Sequence, residues 1–516
     1  MGGAIGSIIG IAAAVFAPYA AAALGLTGIG ATLFGIGLQM AVGSIFNKKA
    51  KKKGGGGGVE DAGLLVNKTS NVAAIPVIYG ESSDTYPGRR LGGTRVYMQS
   101  TNNDGVTTGT GGNEYLHVVL AYAHGSGKPN SENAGPVAHR ILLNDKVAWT
   151  AANGKVVSGH PDYDATEYEG YDFSKFDVAL FNGCSDQTHS VGRDYSTFDD
   201  FDARKSDEWT SNHRLRGVAY AYCRMQFDRD TFPGAPTILI ESTGNKVYNV
   251  EHLDWASRNP TVGTAPTKYA SKSNPAAIIL DYLTNTTYGK GLSLQDIDYD
   301  SFVVARDYYD SINLDFIGVV QTGETLFDNV QQLLASCNAN LYYSRGKYAI
   351  SIHKQETFDN DTFVFNIDNI LGEWTISLGS KKNRFNSMTV NYYDSSNGWQ
   401  PNSVKVANAS YLAADSDVLN EGGIDLPMVR TRADADRLGK FYLDQSRYTT
   451  VVNFKASHEA LILNVNDVVY IDHAVPGWND SNKKKFRVSA LVLNSDSTVE
   501  VTLMEYAPNS VYIENQ

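Results

Sequence analysis

Met1 to Phe46 contains no Asp, Glu, Lys, Arg or His, and five lysines in six positions (Lys48, Lys49, Lys51, Lys52, Lys53) follow, ahead of Gly54–Gly58. An uncharged stretch of this length has to be buried, in lipid or against protein, because large contiguous apolar surface is not left in water. A bilayer-crossing helix takes roughly 20 apolar residues. Ile5–Ala17 falls short alone, and Pro18 kinks or ends a helix there. Met1–Leu24 and Leu26–Phe46 are each long enough for a span, or for one arm of a hairpin turning near Gly25–Gly30. The lysines would then lie on the cytoplasmic side by the positive-inside tendency.

The small residues allow a second reading. Gly3, Gly6 and Gly10 share one helical face, as do Gly28, Ala31 and Gly35, and such faces let helices pack closely. Ile5, Ile9, Phe16, Leu24, Leu33, Phe34, Leu38 and Phe46 are the apolar positions expected to enter a membrane or a helical bundle. Both alternatives stay open on the residues alone. A secretory signal peptide does not fit, since no basic region precedes the apolar run. Myristoylation does not fit either, because position six is Gly6 rather than Ser or Thr.

The remainder reads as an acidic, β-rich protein. The formal net charge of -12 argues against nonspecific nucleic-acid binding through a basic face. Acidity concentrates in Asp162–Asp172 and Asp194–Glu208, read first as solvated loop surface and second as a wall that repels a sliding polyanion. Cys184, Cys223 and Cys337 are too few and too scattered for a disulfide framework.

Strand patterns at Ala74–Tyr79, Gly93–Ser100 and Tyr115–Ala123 open a β block, with a Gly/Thr/Asn loop at Asn102–Asn113. Ala138–Trp149 reads as a hairpin around Asn144-Asp145, and Leu215–Phe227 as a long strand completing the first sheet. Asn274 and Pro275 start a helix, Ser301–Tyr309 forms a second, and Thr322 is expected to cap a third that carries Leu326, Val330, Leu333 and Cys337. A hairpin follows at Asn340–Tyr343 and Tyr348–His353. Six further strands lie between Glu373 and Tyr506, interrupted by a helix at Arg430–Gln445. These patterns predict an α+β fold, mainly antiparallel β. The expected divisions are 1–58 (apolar helical segment and Lys/Gly hinge), 59–135 (first β domain), 136–213 (inserted loop-rich β module), 214–250 (completion of the first domain), 251–365 (α+β) and 366–516 (second β domain with one helix).

Catalytic, cofactor and metal constellations are not expected. Asp296, Asp298 and Asp300 resemble the opening of a calcium loop, but Ser301 and Asp307 stand where Gly and Glu are needed. A helix cap is the simpler account of Asp298 and Asp300. Cys184 and His189 lack a second pair at zinc spacing, and lone histidines such as His117, His124 and His139 are read as satisfied polar residues. No G-x-S-x-G, P-loop or H-E-x-x-H is present.

From the middle third onward the sequence resembles phage tail tip attachment proteins, the host-specificity J-type proteins of long noncontractile tails. The likeness starts with Asn274-Pro275-Ala276, Asp281–Asn285 and Tyr288-Gly289-Lys290-Gly291-Leu292, followed by an acidic helix start at Asp296–Asp300. It continues with Gly323–Ala335, Asn340–Ile352, Arg384 and Asn386 within Asn383–Asn386, Val390–Tyr393, Gly398-Trp399, Ala433–Leu443 and Val465–Ile471. Asn466 stands where the family usually has Gly. Upstream, Ile75–Gly80 and Gly92-Gly93 also match, so the collinear likeness covers roughly residues 62 to 510. Many such proteins continue into fibronectin-like modules and a receptor-binding tip, whereas this sequence ends at Gln516, so the resemblance does not carry receptor recognition to it.

The resemblance implies two tail-tube-like β-barrel or sandwich domains with α+β insertions, preceded by the apolar segment. It implies a homotrimeric hub that meets the tail tube or a distal tail ring, the tape-measure protein and tip fibre or receptor-binding proteins. Phage DNA would pass through its lumen without specific binding, and host-membrane contact during ejection is possible. The Leu64–Tyr79 and Glu373–Tyr393 stretches are the expected tube-like strands. Two readings compete with this one: a cellular membrane-anchored protein with a soluble β-rich domain, and a phage cell-wall hydrolase.

Overall fold

The computed structural model describes residues 67–69, 73–81, 88–101, 114–156 apart from 133, 172–189, 201–252 apart from 229 and 233, 273–378 apart from 345 and 360, and 383–515. The Met1–Phe46 segment, the lysine block, Gly54–Gly58, the Asn102–Asn113 loop, Asp162–Tyr171 and Asp194–Asp200 lie outside the described residues.

The N-terminal unit is built from β1 (Val77–Tyr79), β2 (Arg89–Leu91), β3 (Thr94–Thr101), β4 (Tyr115–His124), β5 (Ala138–Leu143), β6 (Lys146–Thr150), β7 (Gly154–Lys155), β8 (Phe176–Asn182), the short helix α1 (Phe201–Arg204), β9 (Val218–Gln226) and β10 (Ile238–Ser242). A four-stranded sheet, ordered β3-β4-β9-β8, faces a five-stranded sheet, ordered β2-β10-β5-β6-β7. As expected, the Leu215–Phe227 region pairs with β4. The stretch 136–213 does not stand apart as an insertion: β5 pairs with β10, and β8 pairs with β9. Asn144 and Asp145 have φ of 48° and 66°, the left-handed pair that a tight I′ hairpin turn requires.

Alternation along β4 and β9 explains why they read as nearly unbroken apolar runs. Val118, Leu120, Ala221 and Cys223 enter the inter-sheet core, while Val119, Tyr220 and Tyr222 point the other way. That second face is covered by Phe201 and Trp209, so both faces are dry. Between them His117 is buried, with Thr101 Oγ1 at 2.8 Å and the Tyr222 hydroxyl at 3.1 Å. Burial, reinforced by nearby Arg224, lowers its pKa to about 4, so the ring is neutral at pH 7.

The central unit contains α2 (Pro275–Thr284), α3 (Tyr299–Ser311), β11 (Gly318–Val320), α4 (Leu326–Ser336), β12 (Ala339–Ser344) and β13 (Lys347–Ile352). Asn274 caps α2 and Asp298 caps α3 through Ser301 N, as the sequence suggests. The cap of α4 is Thr325 rather than Thr322. Thr325 and Asp328 have capping-box spacing and hydrogen-bond each other, whereas the Thr322 hydroxyl donates to Ile75 O.

The C-terminal stretch adds β14 (Val364–Phe365), β15 (Ile370–Ser377), β16 (Ser387–Asp394), β17 (Gln400–Ala407), α5 (Ala409–Ala414), β18 (Glu421–Asp425), α6 (Arg432–Gln445), β19 (Val451–Ala456), β20 (Val468–Ile471), β21 (Lys484–Leu493) and β22 (Val499–Glu505). Its buried residues fall into two clusters. β16–β18 and α6 pack with α2–α4 in the central core, through Met388, Val390, Leu438 and Phe441. An open six-stranded sheet, ordered β14-β20-β21-β22-β19-β15, has its own core around Phe365, Phe454, Phe486 and Val501. Strand pairing is antiparallel except β14–β20 and β16–β18, which makes the whole an α+β fold dominated by antiparallel sheets.

β1 does not join the N-terminal sheets. It pairs antiparallel with β11, and the two strands form a wall between two cores. Val77, Tyr79 and Val320 face the central core, whereas Ile78 and Val319 face the N-terminal one. The period-2 alternation of a strand makes this double use possible.

Candidate functional site

Most of the residues that carry the tail-tip likeness lie where the units meet. Asn274 Oδ1 accepts from Ala276 N at 3.0 Å and Ala277 N at 3.5 Å. Its Nδ2 donates to Arg306 O and to Asp310 Oδ1, tying the start of α2 to the end of α3. Pro275 occupies the first helical turn, where a missing N–H costs nothing.

One and a half turns along α2, Asp281 reaches the N-terminal unit. Its Oδ2 accepts from Tyr79 on β1 at 2.8 Å and from Tyr288 at 2.9 Å. The Tyr79 and Tyr288 rings meet edge to face at 6.4 Å, and His124 from β4 lies 5.7 Å from Tyr288. Burial pushes the Asp281 carboxyl above its usual range, while Lys128 and the two hydroxyl donors pull it down. Burial and the adjacent carboxyl raise both tyrosines.

The turn that brings Tyr288 back depends on its glycines for two different reasons. A Cβ on Gly289 would sit 2.0 Å from Tyr282 O, so this is a space requirement. Gly291 has room but a φ of 70°, so there the backbone conformation sets the residue. Lys290 between them donates to the Tyr348 hydroxyl at 3.0 Å, and burial lowers its pKa to about 8.

A second junction holds the other motif. Gly398 and Trp399 both adopt left-handed conformations, and Trp399 is buried. The Arg89 guanidinium from β2 lies 3.9 Å from the Tyr393 ring centroid and 5.4 Å from that of Trp399, a cation–π contact between units. Beside it, Arg90 donates twice to the fully buried Glu241 on β10, at 3.1 and 2.7 Å. Asn386 works within the central unit. Its side chain donates to Asp415 Oδ2 and Val418 O and accepts from Asn420 N, fixing the loop after α5. Arg384 contributes its carbonyl, which accepts from Asn420 Nδ2 at 2.8 Å.

The six-stranded sheet is stapled to the centre by the chain's last residues. Tyr506, Val511, Tyr512 and Ile513 enter the central core, and Glu514 accepts from the Tyr308 hydroxyl at 2.7 Å and Gln355 N at 2.6 Å. Arg487 of β21 donates to Asn466 O and Lys354 O. Nearby His353 is half-buried against Phe441, and desolvation with Arg487 drives its pKa to about 3.

Thus Asn274, Pro275, Tyr288, Gly289 and Gly291 gather at one junction, and Gly398 and Trp399 at another, while Arg384 and Asn386 lie apart from both. Sequence reasoning missed Tyr79, Arg89 and Glu514 as junction residues. Asp281 carried a visible signal, an acid four residues after Ala277 on an otherwise apolar helix face. The proposed bundle residues Ile5, Ile9, Phe16, Leu24, Leu33, Phe34, Leu38 and Phe46 lie outside the described residues. Among the described residues no helix is long and apolar enough to cross a membrane.

The arrangement is one of sheets bracketing a central α+β unit, with most of the distinctive residues locking units together. Comparison with known proteins gives the kind. A family described as putative phage tail protein matches residues 328–491. Baseplate hub protein pb3 of Escherichia phage T5 is 22% identical over 336 residues, 60% of this chain and 33% of that protein. Tip attachment protein J of Escherichia phage SECphi27 is 26% identical over 264 residues, 48% of this chain and 22% of that protein. The chain therefore spans about a third or less of the length of these curated relatives. A chain from the virion of a native gene transfer agent particle shares the fold, with a TM-score of 0.57 at 13% identity over 96% of this chain and 97% of that one. The resemblance read from the sequence holds: the chain is similar to phage tail proteins of the tip and hub kind, and these likenesses support a place at the distal end of a virion tail.

Proposed function

We propose that the chain is a homotrimeric tail hub that closes the end of the tail tube and forms part of the DNA ejection channel. The observation that carries this reading is that each outer β unit ends in an edge strand with exposed apolar side chains. On β3, Val96 and Met98 are 46% and 52% exposed; on β15, Leu371 and Ile376 are 39% and 40% exposed, and Leu378 beyond it 80%. Such edges invite pairing with another chain unless they are covered. Two β units per chain, closed into a three-fold ring, would present six tube-like units to a six-fold tube.

In this reading the ring contacts the tail tube or a distal tail ring above, the tape-measure protein within, and tip fibre or receptor-binding proteins below. Acidic loops face the lumen and let DNA slide by like-charge repulsion. Met1–Phe46 from three copies pack as a plug near the axis and enter the host membrane on ejection, with the lysines at its anionic surface. Electron microscopy of the purified protein tests the ring: three-fold particles are expected, and a uniformly monomeric sample would remove the proposal. Particles lacking Met1–Phe46 are expected to adsorb but fail to deliver DNA; normal delivery would remove the plug.

A further inference from the structure

Between α3, β13 and the six-stranded sheet lies a groove of about 590 Å³. Asp298, Asp300, Glu356, Asp359, Asp361 and Asp467 line it, against a single lysine, Lys354, whose Nζ is 3.9 Å from Glu356. In its wall the Ser351 hydroxyl is buried without a hydrogen-bond partner, in a residue only 7% exposed. Val304 on one side and Ile462 on the other are exposed apolar residues.

This combination selects a class of ligand. Anions and nucleic acid are repelled by the carboxylates. Among the described residues no three metal-ligating side chains come together to hold an ion. An extended lysine-rich peptide fits: ammonium groups meet carboxylates and methylene stems lie along Val304 and Ile462, beside the wall that holds the unsatisfied Ser351 hydroxyl.

The geometry points to one occupant, the chain's own lysine block, Lys48–Lys53. It carries five lysines and no acid, next to the apolar Ile45 and Phe46. A second basic run, Lys483–Arg487, is already engaged: Lys483 pairs with Asp472, Lys484 with Glu505, and Arg487 holds two carbonyls. The residues between Lys53 and Asn67 span up to roughly 50 Å when extended. That exceeds the radius of gyration of a compact chain of this length, roughly 24 Å. Docking parks the apolar segment against the body, and release frees the lysines for an anionic surface. The docking does not depend on the trimeric reading.

Zero-length carbodiimide cross-linking of the full chain, mapped by mass spectrometry, tests it. Amide links are expected from Lys48–Lys53 to Asp300, Asp359 and Asp361, falling about tenfold in 1 M salt, where screening acts within roughly 3 Å. A D300N/D359N/D361N variant should lose these links while melting like the parent, since all three side chains are exposed. Links made chiefly to other carboxylates, or none from the block, overturn the inference. The oligomer mass of the same sample reports on the trimer separately, so either reading can fail alone.

Discussion

The four-stranded sheet of the N-terminal unit and the β15 edge of the six-stranded sheet solve the same problem in opposite ways. β4 and β9 bury one face in the inter-sheet core and the other under Phe201 and Trp209. β15 leaves most of its residues exposed, including Leu371 and Ile376. At β4 and β9 both sheet faces are covered by the chain's own residues; at β15 the sheet ends, among the described residues, in an edge without a further strand. A sheet closed by its own residues has to be tested by stability, and an open one by association.

The largest stability effect is expected at the closed sheet. Trp209→Ala should cost about 3–5 kcal/mol, because it empties a buried site among Tyr97, Tyr220 and Tyr222. Denaturant unfolding of the purified protein measures it, and a loss below about 1 kcal/mol would mean that the cap is dispensable. Next comes Asp281→Ala, which leaves two buried tyrosine hydroxyls without their acceptor and should cost about 2–4 kcal/mol.

Two titrations of opposite sign sharpen the contrast. The Asp281 pKa is raised by burial, so its contribution is fully present below the unfolded carboxyl pKa and is lost as pH rises through the folded value. Relative to Asp281→Asn, the parent should therefore gain stability on acidification. His117 is lowered to about 4, so its contribution is present above the unfolded pKa of 6.5 and is lost as pH falls toward 4. His117→Gln should flatten the acid branch between those limits, and melting temperatures across pH 4 to 7 separate the two. A smaller cost, about 1–2 kcal/mol, is expected for Glu514→Ala, with faster amide exchange confined to residues 506–515. Smallest of all is Ile376→Lys, expected within about 0.5 kcal/mol on the isolated chain. Sedimentation should nevertheless show loss of the proposed ring. An intact ring would mean that the β15 edge is not an assembly surface.

Local signals were legible in the sequence and distant pairings were not. Asn274-Pro275 and Asp298 marked helix starts because capping is decided within a few residues. Asn144-Asp145 marked its hairpin for the same reason. Thr322 misled because Thr322 and Thr325 are both competent caps, and only contact with Ile75 decides between them. The partnership of Tyr79 and Asp281, 202 residues apart, leaves no local trace. Nor does the division of the last stretch between two cores: the α6 helix is amphipathic in either setting, and periodicity does not say which core receives its apolar face. The motif residues stood out in the sequence as a set, but the junction work of those around Tyr288 and Trp399 emerges only with Tyr79 and Arg89 in place.

The β1–β11 ribbon has a mechanical consequence. Because Ile78 is anchored in one core and its neighbours Val77 and Tyr79 in the other, no single loop between these units can serve as a hinge. Turning one unit against the other would drag side chains out of both interiors together. Force applied to one unit is therefore carried into the other through both interiors at once, as through a solid link.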